Sequence, residues 1–272
     1  MPSPLIFSLV IAAVLWHVIL ACLAPKLGLV KPNFCKKPIM ASYGLMAFPY
    51  ILVAAVALAT LKHATWGQVR LYLLVMGAMW IFGAIDDIWG SREVGGFKGH
   101  FKKLLFERKL TTGAVKAMGG GLVALAAGYS IYPHGIWHML LAGATIALAT
   151  NLLNLLDLRP GRAVAVLFAG LGVTYIVKCG RLVALPLVAS ISLVAFAFGI
   201  ADSRGRAMMG DSGSNCLGAG LGLTIVLSAP HWMIPAIAVM AAVHVYSEKR
   251  SISALIERNR LLKAIDRCLG VR

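Results

Sequence analysis

The chain reads as an all-α protein. It is a polytopic membrane helix bundle of about nine transmembrane helices, followed by a C-terminal interfacial helix. Three observations lead to this reading. Apolar residues fill 60% of the 272 positions and charged residues only 13%, with a mean hydropathy of +0.83. So few charges cannot cover a soluble surface. The apolar residues also gather in blocks near the roughly 20 residues that a bilayer span requires. Finally, the 26 Lys and Arg fall almost wholly in alternate connections between those blocks. Strand-period alternation is absent, which disfavours a β-barrel.

In chain order the blocks cover 4–24, 43–61, 69–88, 112–131, 136–156, 161–177, 182–201, 214–229 and 231–247. No Lys or Arg precedes Lys26, so the first block lacks a basic leader region and is expected to be a retained helix. Loops assigned alternately place 22 cations on one side, among them Lys26, Lys31, Lys36, Lys37, Arg204 and Arg206. The four on the other side are Lys62, Arg70, Lys178 and Arg181. This asymmetry predicts an outside N-terminus and a cytoplasmic C-terminus in the cell inner membrane. It also accounts for most of the formal charge of +16, together with attraction to anionic lipid. Basic residues spread over short loops make a poor nucleic-acid surface, so no nucleic-acid partner is expected.

The cysteines Cys22, Cys35, Cys179, Cys216 and Cys268 are scattered, with neither zinc nor disulfide spacing. Outside connections are short, whereas inside ones are longer and richer in Gly, charge and hydroxyls. Function is therefore expected on the inside. Two units follow: a membrane domain over 1–248 and an amphipathic interfacial helix over 249–272. In the latter, Ile252, Leu255, Ile256, Leu262, Ile265 and Leu269 fall near one face.

The functional reading rests on the carboxylates. There are ten, and none lies in the first 85 positions. Asp86 and Asp87 close the third block, Asp157 closes the fifth, and Asp211 precedes the eighth, so the alternation brings all four to one membrane face. A carboxylate costs about 2.5–3.5 kcal/mol at a span centre and less near its edge, and adjacent carboxylates repel. A divalent cation removes both penalties. Ligands that are all oxygen suit Mg²⁺, with Mn²⁺ the alternative. Pairing with the inside cations is the competing explanation. Asp202 is a fifth acid at such an edge, without a motif; the others read as ordinary loop or interfacial charges. The run Met209-Gly210-Asp211-Ser212-Gly213-Ser214 offers a helix N-terminus of small residues, suited to phosphate. Positive-inside bias explains most of the basic 95–116 loop. Lys98 and Lys116 are the candidate diphosphate ligands there. Lys116 is the sharper one, because a lysine one turn into a helix must snorkel or find an anion.

Asp86-Asp87 at a helix end, Asn154-Leu155-Leu156-Asp157 in a loop, and the Met209–Ser214 run occur in that order. Together they resemble the signature of the polyprenyl-phosphate N-acetylhexosamine-1-phosphate transferases. This superfamily includes phospho-MurNAc-pentapeptide translocase and the GlcNAc-1-phosphate transferases of bacterial envelope synthesis. The stretch from Asn33 to Gly44 is similar to the family's first cytoplasmic loop, so the likeness extends in patches over 31–222. It implies a Mg²⁺-dependent transfer in which a lipid phosphate, such as undecaprenyl phosphate, attacks the β-phosphate of a UDP-sugar and releases UMP. It further implies Asp211 and Asp87 as metal ligands, and Asp86 and Asp87 as binders of metal and acceptor phosphate, one of them a candidate base. Asn154 and Asp157 would hold the donor phosphates, with Ser212 and Ser214 beside them.

The chain departs from the family pattern at two places. Pro160 stands where the donor loop carries a second Asp, and Arg159 and Arg162 are added nearby. These arginines suit either phosphate recognition or positive-inside bias. The family's histidine-rich motif is reduced to His244 in Val243–Arg250. With no final spanning helix expected after the interfacial one, the chain resembles a compact, divergent member, better suited to a simple UDP-N-acetylhexosamine than to the pentapeptide donor. Two rival readings are a catalytically silent relative acting as scaffold or regulator, and a secondary transporter. A transporter is disfavoured by acids lying at one edge rather than at the midplane. The runs Gly119-Gly120-Gly121 and Gly218-Ala219-Gly220 suit close helix contacts, within the chain or across a homodimer.

Overall fold

A computed structural model describes residues 4–32, 36–90 and 112–271. Its helices are α1 (Pro4–Leu23), α2 (Ala47–Thr60), α3 (Trp66–Trp89), α4 (Thr112–Ile131), α5 (Ile136–Leu156) and α6 (Arg162–Val177). They continue as α7 (Leu185–Ser203), α8 (Gly210–Ser228), α9 (Met233–Lys249), α10 (Ile252–Arg258) and α11 (Arg260–Leu269). Each apolar block of the sequence is thus helical. Their capacity to span differs. Among the described residues six segments are long and apolar enough to cross a membrane, or seven if α8 and α9 count as one broken span. These two helices meet at 115°, at the break marked by Pro230. Proline has no N–H to continue a helix. Helix α6, at 16 residues, is about 24 Å long and falls short of the hydrocarbon thickness.

Local sequence explains where several helices begin. Thr65 and Gln68 form a reciprocal capping box at the start of α3: the Gln68 amide donates to Thr65 Oγ1 at 3.2 Å, and the Thr65 amide donates to Gln68 Oε1 at 3.1 Å. Asn259 starts α11 by accepting from the amides of Leu261 and Leu262, and it breaks the expected 249–269 helix in two. An extended backbone at Asn259 ends α10 and caps α11 at once.

The centre of the bundle is α8, with 17 of its 19 residues buried. Its composition explains its position. Gly218 lies against the backbone of Ala149 and Thr150, and Gly222 against that of Ile146, so α8 and α5 pack backbone to backbone. Gly83 of α3 lies against Asp211 and Ser212 in the same way. On α4, Gly119 and Gly120 receive Phe82 and Met79. These small residues serve contacts within the chain. By contrast α1 buries only Ala13 and Leu20 and presents a broad apolar face outward. Lipid acyl chains are an apolar partner suited to that face.

A short antiparallel hairpin, β1 (Val30–Pro32) with β2 (Pro38–Met40), precedes α2. The chain beyond it runs beside 207–209: the Met208 amide donates to Met40 O, and the Tyr43 and Gly44 amides donate to Met208 O and Met209 O, all at 2.8 Å. The first connection thereby fixes the entry to α8.

Candidate functional site

At one end of the bundle the C-terminal ends of α3 and α5 meet the N-terminal ends of α4 and α8. Lys116 is the hub. Its ammonium donates to Asp86 Oδ2 at 3.0 Å and to Asp211 Oδ2. Thr112, one turn earlier on α4, donates to the other Asp86 oxygen at 2.6 Å. In the orientation that satisfies both ends of its amide, Asn154 donates to Asp211 Oδ1 at 2.9 Å and accepts from Lys116 at 3.2 Å. Three helices and the start of α8 therefore converge on one ammonium group. Lys116 is half-buried, so a snorkelling side chain has found its anions.

Asp87 faces the backbone of α8. Its two oxygens accept from the amides of Asp211 and Ser212, both at 3.0 Å. The Gly210 amide donates to the Asp157 carboxylate. Three of the first amides of α8, which would otherwise lack partners, are thus capped by acids from α3 and the α5 end. This corrects the expectation that they stand free for phosphate. Gly210 has φ +72°, and a side chain there would press on Ala41, Ser42 and Asp87, so the turn into α8 requires glycine. Ser212 and Ser214 are fully buried, and Ser214 donates to Gly210 O at 2.9 Å. Neither hydroxyl faces the accessible side of the cluster.

Asp157 is 8% exposed and Asp202 2%. Burial, then the nearby charges of Asp202, Asp211 and Asp87, push the Asp157 carboxyl well above the usual carboxylate range. Asp202 accepts from the Gly161 amide at 2.7 Å, which ties the loop after α5 to the end of α7.

The remaining expected residues fall elsewhere. Lys98 lies outside the described residues. Arg159 is half-buried and forms no ion pair among the described residues. Arg162 turns away from the cluster: its Nε and Nη2 donate to Asp266 at 2.6 and 2.9 Å, and Nη1 donates to Ser253 Oγ at 2.9 Å. His244 bonds its own helix, with Nδ1 2.7 Å from Met240 O. Thr112, Asp266 and Ser253 carry no sequence signal for these roles, because each depends on a partner far along the chain.

The donor set around Lys116 consists of hard oxygens: the Asp86 and Asp211 carboxylates and the Asn154 amide. A monovalent cation, the ammonium, already stands between the carboxylates. Among the described residues no three His, Cys, Asp or Glu side chains stand close enough to hold an ion on their own. Mg²⁺ asks for less, since one or two carboxylates with water and substrate phosphate complete its shell. The residues fit such an ion, and they place Asp86 rather than Asp87 opposite Asp211. The chain matches no known protein-family model and no curated protein sequence.

Proposed function

We propose that the chain is an integral-membrane phosphoglycosyl transferase of bacterial envelope glycan synthesis. It moves a sugar 1-phosphate, N-acetylhexosamine-1-phosphate, from a UDP-sugar to a polyprenyl phosphate at the cytoplasmic face. One observation carries the reading: an ammonium, two carboxylates and an amide converge at one end of an apolar bundle. Such a site matches a reaction between two phosphates, one of them attached to a lipid.

In this reaction an oxygen of the acceptor phosphate attacks the β-phosphorus of the UDP-sugar. The bond from that phosphorus to the bridging oxygen breaks, and UMP leaves with the electron pair. A dianionic acceptor needs no proton removed. The work left to the protein is positioning and charge neutralisation. Lys116 moves from its carboxylates onto a phosphate oxygen of the diphosphate. Asp86 and Asp211 would hold Mg²⁺, with Mn²⁺ as substitute; when bound, the ion neutralises phosphate charge. Asn154 orients Asp211, and Asp87 and Asp157 anchor the end of α8 that carries it. Lys98 and Arg159 are the further cations offered to the donor.

A specific observation favours a second reading, the silent relative. Lys116 pairs directly with Asp86 and Asp211, as a purely structural ion pair would. Turnover separates the two. Purified protein with Mg²⁺, undecaprenyl phosphate and a panel of UDP-sugars should release UMP, and Asp211→Asn should abolish it. Release of no UMP from any donor, with a partner protein co-purifying, would favour the scaffold.

A further inference from the structure

The C-terminal segment engages the bundle through one face and leaves a second face free. Asp266, the only acid of α11, is 7% exposed and is held in a two-bonded ion pair with Arg162. Ser253 of α10 completes the grip on the same guanidinium. Leu269 and Gly270 lie flush against Gly161 and Pro160, and the Val271 amide donates to Ser203 O at 2.8 Å. The segment is thus locked onto the loop after Asp157 and onto the end of α7 that carries Asp202. With Asp266 turned inward, the other face of α11 carries no acid. One exposed side carries Leu261 (69% exposed), Leu262 (38%) and Ile265 (48%), and the opposite side carries the exposed cations Arg260, Lys263 and Arg267. Arg258 extends the same charge from α10.

We propose that α11 lies in an anionic lipid interface, its apolar side toward the acyl chains and its cations toward the headgroups, and that the Asp266–Arg162 pair transmits that contact to the 157–161 loop. Apolar side chains reach the acyl boundary while cations meet phosphate headgroups, and the helix is bound by both. The spanning helices already place a bilayer beside the bundle, so the helix need only lie along it. Arg162 begins α6, one residue after the Gly161 amide that bonds Asp202, so a helix held by lipid holds that turn as well. Arg162 and Asp266 are positioning residues here. The inference does not depend on the transferase reading.

The test uses the full chain in lipid nanodiscs, either phosphatidylcholine alone or mixed with phosphatidylglycerol. Cys22, Cys35 and Cys179 are changed to Ser, and an environment-sensitive fluorophore is placed on the exposed Cys268. Its emission should shift to the blue in the anionic discs. Arg260→Gln, Lys263→Gln and Arg267→Gln should each weaken that preference about fivefold. Hydrogen exchange at Gly161 and Arg162 should slow about tenfold in anionic discs. Asp266→Asn should erase that lipid dependence while the fluorophore still reports contact, and Asp266→Glu should keep both. Equal emission in the two lipids would overturn the docking. Lipid-dependent protection that survives in Asp266→Asn would overturn the coupling. No readout involves turnover, so failure of the transferase reading leaves the test intact.

Discussion

Lys116 and Asp157 solve the same problem, a charge near hydrocarbon, in different ways. Lys116 keeps its charge because Asp86 and Asp211 face it. Removing it leaves two half-buried carboxylates without a cation, so Lys116→Met should cost about 2 kcal/mol in thermal unfolding and should also remove UMP release. No such cation faces Asp157 among the described residues, and burial pushes its carboxyl up. A group whose folded pKa is raised stabilises the fold fully below its unfolded value, about pH 4, and loses that contribution as pH rises through the folded value. The melting temperature of the protein without added divalent cation should therefore fall as pH rises above about 4. Asp157→Asn should flatten that profile, and a pH series of thermal melts in detergent checks it. The conspicuous acids were legible in the sequence because an isolated carboxylate in an apolar block has few harmless explanations. Their division of labour was not. Asp86 and Asp87 are adjacent, yet one meets an ammonium and the other two amides, and only the helix phase relative to α8 decides which.

At the scale of elements, all nine apolar blocks form helices, because such blocks have no other way to satisfy their backbone groups in lipid. What remained illegible was which blocks are full spans. The α8 block reads as one more span. Its glycines also make it the bundle's inner post, and Pro230 turns the chain by 115° into α9. The glycine spacing was visible in the sequence, but whether it served this chain or a second copy was not. At Gly222 a side chain would strike the backbone of Ile146. Gly222→Val should therefore force α5 and α8 apart and destabilise by about 2–3 kcal/mol, read as a drop in melting temperature. Gly121 meets nothing within 4 Å, so Gly121→Ala should leave stability unchanged to within about 0.5 kcal/mol. The sequence predicts one amphipathic helix for the C-terminal segment. Its apolar pattern gives a helical segment, whereas the break comes from the cap at Asn259 and the inward turn of Asp266 depends on Arg162, about a hundred positions earlier in the chain.

For the whole molecule, the apolar helices make it a multi-pass membrane protein, and the loop charges predict its orientation. Two exposed cysteines report on it. Cys179 lies between α6 and α7, and Cys268 lies on α11. A membrane-impermeant maleimide should label Cys179 in intact cells and reach Cys268 only after permeabilisation; the reverse pattern would invert the topology. We propose that the polar network at one end of the bundle transfers a sugar phosphate between two phosphate carriers. Its most direct test is UMP release by the purified chain with Mg²⁺, undecaprenyl phosphate and UDP-N-acetylhexosamines. The account predicts UMP release that EDTA stops and that Asp86→Asn and Asp211→Asn lower by at least about a hundredfold. Full activity in both variants would contradict it.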